Sequence, residues 1–145
     1  MSVKIERYRK EYTVKSYEVD CHGLLRILTL LNWLQDIATT HADYIGFGFS
    51  ACQAHNLSWV GSNYVIDIKR LPGMEEHVVI ETWPAEEKLW GAIRDFMVYD
   101  AEGNPIIQAS SQWVLINIDS RRPVVLKKYF LETQKIQGWE KWIIE

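Results

Sequence analysis

Prolines, cysteines, excess positive charge and long apolar runs are all scarce in this chain, and each shortage excludes something. Only four prolines occur among 145 residues that are 48% hydrophobic, which leaves little room for disordered tails or for two full domains. Two cysteines, Cys21 and Cys52, lie too far apart for a CxxC pair and are too few for a structural zinc site. Both read as free, buried and inert thiols in a reducing compartment. Sixteen Lys and Arg against nineteen Asp and Glu give a net charge of -3, the wrong sign for a chain that neutralises many phosphates, so nucleic acid is not an expected partner. The most apolar stretch, residues 24–34, is interrupted by Arg26, Thr29 and Asn32 and falls short of the roughly 20 residues that span a bilayer. The first ten residues are charged and alternating, unlike a secretory signal. No membrane insertion and a cytoplasmic location are expected. No Walker loop, GxGxxG, GxSxG elbow or HExxH is present, so nucleotide, α/β-hydrolase and zinc-protease chemistry find no support.

What the chain has in quantity is aromatic surface with a polar tip: seven Trp and seven Tyr. Its hydrophobic period changes only twice. Residues 8–19, with Tyr8, Tyr12, Val14, Tyr17 and Val19, read as a first strand. From residue 24 to 45 apolar positions recur at helical steps (Leu24, Ile27, Leu28, Leu31, Leu34, Ala38, Ala42, Ile45), while Leu25, Leu30, Trp33 and Ile37 fall outside that stripe. The spacing predicts a helix buried almost all round, ended by Gly46 and Gly48, with a short helical or turn segment at 50–56. Thereafter the period is two. Strands are expected at 57–71 (with Val60, Tyr64, Ile66 and Ile68 on one face), 78–86, 89–99 and 106–118, with turns at Pro72-Gly73 and residues 100–104. One buried helix followed by an antiparallel meander implies an α+β chain of the hotdog type, a long central helix wrapped by a curled sheet of five or six strands. Residues 1–145 are expected to form a single hotdog domain, its core at about 5–125 and a carboxy-terminal arm at 126–145.

Three groups are candidates for chemistry. Asp20-Cys21-His22-Gly23 directly precedes the expected helix. Asp20 can cap the first turn, or stand as nucleophile or base beside a carbonyl oxygen held by unpaired helix-end amides near Leu25 to Ile27. His22 can assist there or be an ordinary solvated histidine. Asn32, Asp36 and Asp43, with Thr29 and Thr40, form a polar stripe on the helix. It is either the solvated side or a subunit interface in which Asp36 has a raised pKa. Gln35 and His41 flank the apolar face as hydrogen-bonded core residues or as site residues. Finally, Trp59-Val60-Gly61-Ser62-Asn63-Tyr64, with Trp83, Trp90 and Trp113, supplies the wall of an acyl tunnel or simply of a dry core.

Ser16-Tyr-Glu-Val-Asp20, Leu34-Gln-Asp-Ile-Ala-Thr-Thr-His-Ala42, Gly46-Phe-Gly, Trp59-Val, Arg70-Leu-Pro72, Glu81-Thr-Trp83, Arg94-Asp-Phe96, Ser111-Gln-Trp113-Val and Asp119-Ser-Arg-Arg-Pro123 follow one another in an order that resembles the amino-terminal hotdog of the acyl-acyl-carrier-protein thioesterases. The resemblance implies hydrolysis of a fatty acyl thioester on acyl carrier protein or coenzyme A, with no metal and no bound cofactor. Members of that family carry two hotdogs in one chain. Their catalytic residues lie in the second, in an Asp-x-Asn-x-His pattern before its helix and a Glu within it. The equivalent positions here hold Asp20, His22, Leu24 and Asp36, so two carboxylates are kept and the histidine is not. Single-hotdog thioesterases, similar to this chain in having Asp-x-x-Gly before the helix (Asp20 and Gly23), rely on that aspartate and on helix-end amides.

The reading is therefore a homodimer, or a dimer of dimers, with active sites between hotdogs. Asp20 and Asp36 would be its catalytic carboxylates, helped by His22. Gly23, Leu24, Leu25, Gln35 and Trp59 would contact substrate. The alternatives are a 3-hydroxyacyl thioester dehydratase recruiting His22 with Asp36, or His41, and a non-catalytic acyl-binding or assembly module.

Overall fold

The computed structural model describes residues 7–126. The elements run β1 (Tyr8–Thr13), a single 3-10 turn (Ser16–Glu18), α1 (Ile27–Tyr44), α2 (Phe49–Ala54), β2 (Leu57–Ile68), β3 (His77–Glu87), β4 (Gly91–Asp100) and β5 (Pro105–Asn117). The strands form one antiparallel sheet in the order β1-β3-β4-β5-β2, with β1 and β2 at its edges. This is the expected long helix packed on a curled antiparallel sheet, with five strands. The carboxy-terminal arm expected beyond residue 126 lies outside the described residues. Among the described residues no helix is long and apolar enough to cross a membrane.

Alternation fixes which side chains meet the helix. Pairing places Ile80, Phe96, Val98, Ile107 and Ala109 on the inner face, where they pack on Leu30, Trp33, Leu34 and Ile37 of α1. The β4–β5 hairpin closes as its sequence requires. Asp100 Oδ1 accepts from the amides of Glu102 and Asn104, and Gly103 takes φ +86°, the left-handed region that favours glycine.

Five expectations are corrected. β1 stops at Thr13, and the chain from Val19 to Leu25 is instead a small antiparallel loop with Gly23 at φ +73°. α1 begins at Ile27, not at Leu24, because Leu24 and Leu25 are held in extended bridges to Gly73 and Val19. The helix is buried on one side only: Leu30, Trp33, Leu34, Ile37, Ala38 and His41 are buried, whereas Ile27 and Leu28 are 44% and 70% exposed. Two stripes at helical spacing overlap in this sequence, and the one carrying Trp33 and Ile37 removes more apolar area from water. In β2, Gly61 opposes Trp113 and Asn63 opposes Gln112, so Ser62 is an extra residue that inverts the alternation. Trp59, Gly61, Tyr64 and Ile66 therefore share the inner face, and Val60 points outward, 43% exposed. Of the two thiols only Cys52 is buried; Cys21 is exposed.

Candidate functional site

A cavity of about 360 Å³ opens beside the carboxy-terminal half of α1, within the range of ~300–1,000 Å³ typical of small-molecule sites. Gln35, Ala38, Thr39 and Ala42 form its helical wall at i, i+3, i+4, i+7 spacing. The 45–49 turn and α2 close one end, and Leu57, Ser58 and Trp59 of β2, Ala92 and Arg94 of β4 and Trp113 of β5 form the sheet side. Gln35, Thr39, Phe49 and Glu87 are exposed and lie at the mouth, whereas Ala38, Cys52, Leu57 and Arg94 are buried and form the interior. Trp59 is locked in place by its indole N–H, which donates to the Phe47 carbonyl at 2.7 Å. That bond ties the turn after α1 to the edge strand. Burial pushes the Cys52 thiol up to about 11, so it stays protonated and lines the wall as an apolar group.

One polar cluster reaches the interior. Arg94 is 8% exposed, and its Nη1 donates to His41 Nδ1 at 2.9 Å and to Thr82 Oγ1 at 3.3 Å. A guanidinium only donates, so Nδ1 of His41 is the acceptor and the ring proton sits on Nε2. The His41 ring stacks on Tyr8, centroids 5.4 Å apart. Ser111 Oγ donates to the Arg94 carbonyl and accepts from the Trp113 indole, at 2.9 and 2.8 Å. Desolvation lowers the Arg94 pKa to about 10, which leaves it cationic at neutral pH.

The sequence candidates divide. Gln35 and Trp59 line the cavity; Asp20, His22, Gly23, Leu24, Leu25 and Asp36 do not. Asp20 is exposed and its Oδ1 accepts from the amides of His22 and Leu24 at 2.8 and 3.2 Å. These two bonds, that from Leu24 first, hold its carboxyl below the usual carboxylate range. Of the unpaired amides expected near Leu25 to Ile27, two are corrected: Leu25 N donates to the Pro72 carbonyl and Arg26 N to the Glu18 carbonyl, because the loop closes on its own backbone before α1 starts at Ile27. Leu25 is a core residue at 1% exposure, and His22 and Leu24 are exposed. Asp36 is also corrected: its pKa is lowered, not raised. Lys10 Nζ and the Tyr12 hydroxyl each donate to its Oδ2 at 2.6 Å, and the Lys10 bond is the larger cause. Asn32 and Asp43 of the same stripe are exposed. Among the described residues no group of three or more His, Cys, Asp or Glu can hold a metal ion.

Arg94 was not singled out for a role, although strand alternation places it on the same face as Phe96 and Val98. An arginine in register with core residues was the available signal.

The acyl-ACP thioesterase N-terminal domain model matches residues 5–133. The chain is 36% identical over 122 residues to oleoyl-acyl carrier protein thioesterase 2, chloroplastic, of Arabidopsis thaliana, covering 79% of this chain and 33% of that protein. It is 32% identical over 123 residues to the palmitoyl-acyl carrier protein thioesterase, chloroplastic, of Gossypium hirsutum, covering 79% and 30%. Among solved structures, an acyl-ACP thioesterase from Bacteroides thetaiotaomicron superposes with TM-score 0.79 at 29% identity over 82% of this chain and 49% of that one. A DHNA-CoA thioesterase from Staphylococcus aureus shares the fold, with TM-score 0.78 at 16% identity over 86% and 83%. The chain thus spans about a third of the length of the curated relatives it matches. With a hotdog built from the same elements and a family match across most of its length, the chain belongs to the acyl-ACP thioesterase family, in the part described by that family's amino-terminal domain.

Proposed function

We propose that the protein is an acyl thioesterase, hydrolysing a fatty acyl thioester on acyl carrier protein or coenzyme A to acid and thiol, and that this hotdog holds the acyl chain in the cavity beside α1. The observation that carries the reading is a largely apolar cavity of about 360 Å³, with Trp59 and Trp113 in its wall, in a chain of this family. In the reaction a water oxygen adds to the thioester carbonyl carbon, directly or after acyl transfer to Asp20, the C–S bond breaks, and a proton from the water passes to the departing sulfur to give acid and thiol.

Asp20 and Asp36 are the proposed carboxylates. Both stand outside the cavity wall, so they serve a thioester held by a facing hotdog rather than by their own. A carboxyl held below its usual range is ionised at neutral pH, the form that either a nucleophile or a base for water requires. Pairing of two hotdogs is supported by β2, a twelve-residue strand that pairs with β5 on one side and, among the described residues, ends the sheet on the other. A homodimer is read directly by light scattering: twice the mass of the chain is expected, and a monomer at micromolar concentration refutes the dimer.

The test of activity is thiol release from a series of acyl-CoA and acyl-carrier-protein thioesters. Turnover with a maximum at one range of chain lengths is expected. Alkene formation from a 3-hydroxyacyl thioester without thiol release would instead identify a dehydratase. Absence of turnover with acyl binding retained would identify a binding module.

A further inference from the structure

We infer that the turn at 117–122, which carries Arg121 and Arg122, is a phosphate site at the rim of the acyl cavity, and that it holds the phosphate ester at the end of the pantetheine arm on which the acyl group arrives. The inference rests on the reading of the cavity as an acyl site and adds where the carrier end of the substrate is held. Asp119-Ser-Arg-Arg-Pro123 takes no part in the cavity wall, but the residues that flank it do: Ile118 and Leu126 both line the cavity. So does Gln53 of α2, whose carbonyl accepts from the Asn56 amide, while the Asn56 carbonyl accepts from the amide of Ile118. The turn is thereby tied to the rim.

Its backbone is fixed from within. Asn117 Oδ1 accepts from the amides of Asp119 and Ser120 at 3.0 Å each, and the Asn117 carbonyl accepts from Arg121 N at 2.8 Å. Arg121 takes φ +58°, a left-handed conformation that a residue other than glycine keeps only where its surroundings hold it there. Both arginines are exposed, and neither guanidinium has a hydrogen bond or ion pair among the described residues. Asp119, the acid of the same turn, is engaged elsewhere: its Oδ2 accepts from Asn56 Nδ2 at 2.6 Å. Ser120 Oγ accepts from the Arg122 amide at 3.3 Å, which leaves its hydroxyl proton to donate. Two unneutralised guanidiniums and a hydroxyl on one fixed turn match the oxygens and the charge of a phosphate, which arginine binds in a bidentate fork. The cavity lining also carries acid. Glu86 and Glu87 belong to β3; Glu87 is exposed, and Glu86 Oε1 lies 3.4 Å from Lys88 Nζ. Their charge disfavours a phosphate on the β3 part of the rim and leaves the 117–122 turn as its cationic part.

A phosphate on a pantetheine arm has two sources, coenzyme A, where it continues into a nucleotide, and acyl carrier protein, where it is joined to the protein. Calorimetric titration of the full chain with non-hydrolysable thioethers tests the site and separates the sources. S-octyl-pantetheine and S-octyl-phosphopantetheine differ only in the phosphate. Binding of the second at least about tenfold tighter is expected, with the preference shrinking as salt is raised and lost in the double variant Arg121→Gln/Arg122→Gln. The tighter of S-octyl-coenzyme A and S-octyl acyl carrier protein then names the source, and equal affinity assigns the site to the phosphate that both share. Equal binding of the two pantetheine compounds to the native protein overturns the inference while leaving the acyl site intact. A preference that survives in the folded double variant also overturns it. No binding of any of the four overturns both readings. The comparison on the native protein stands even where the double variant fails to fold.

Discussion

Ala42→Leu is the sharpest probe of where the acyl chain lies. Ala42 is half-buried on α1, one turn beyond Ala38 on the cavity wall, and belongs to neither core cluster. The substitution projects an isobutyl group into a space of about 360 Å³. It displaces room for about three methylenes, each worth ~0.8 kcal/mol on burial. Chains long enough to fill the cavity should therefore lose about 2 kcal/mol of binding, or about 30-fold in kcat/KM. Chains too short to reach Ala42 should lose nothing. The assay is thiol release across an even-numbered acyl-CoA series, with thermal unfolding run in parallel because overpacking alone costs about 1–3 kcal/mol of stability. A variant that melts like the native protein and keeps the native chain-length profile would show that the chain does not run along α1.

Three further outcomes follow from the same geometry. Asp20→Asn keeps an oxygen that can accept from His22 and Leu24, so the loop and the melting temperature should be preserved while thiol release falls by about 100-fold; unchanged turnover removes Asp20 from the chemistry. Asp36 titrates lower when folded than unfolded, so its stabilisation is complete above the ordinary carboxylate pKa of about 4 and is lost as pH falls through the folded value. Melting curves of the native protein and Asp36→Asn should accordingly converge on acidification, and a gap that widens toward low pH refutes the pairing with Lys10 and Tyr12. Gly91→Ala would drive a Cβ into the backbone carbonyl of Trp113, which no side-chain rotation relieves. Loss of about 2 kcal/mol or more by chemical denaturation is expected, and a native-like midpoint would mean that β4 and β5 are not in this register at Gly91.

How much of this was legible in the sequence depends on how local each cause is. The β4–β5 hairpin was readable because Asp100, Gly103 and Asn104 carry the turn within themselves. The start of α1 was not, because Leu24 and Leu25 are extended by hydrogen bonds to the segment around Pro72 and Gly73, nearly fifty residues away, and helical periodicity does not register them. The face of Val60 was missed for a related reason: Ser62 is an insertion relative to β5, visible only once the two strands are paired. Two of the expected donors were lost with the helix start, since the amides of Leu25 and Arg26 are committed to the Pro72 and Glu18 carbonyls.

The position of the cavity has a cause that can be read along α1 itself. Its amino-terminal half meets the sheet with Leu30, Trp33, Leu34 and Ile37, and these fill the inner face against Ile80, Phe96 and Val98. The next turns offer Ala38 and Ala42, flanked by Gln35 and Thr39, to a sheet that continues through Ala92, Trp113 and Trp59. Small side chains on the helix cannot fill the space that a five-stranded sheet leaves beneath them, and the backbone cannot collapse onto it because the Trp59–Phe47 hydrogen bond holds the following turn against β2. A switch from large to small residues on one helix face thus produces a void, and alternation along β4 puts Arg94 into it.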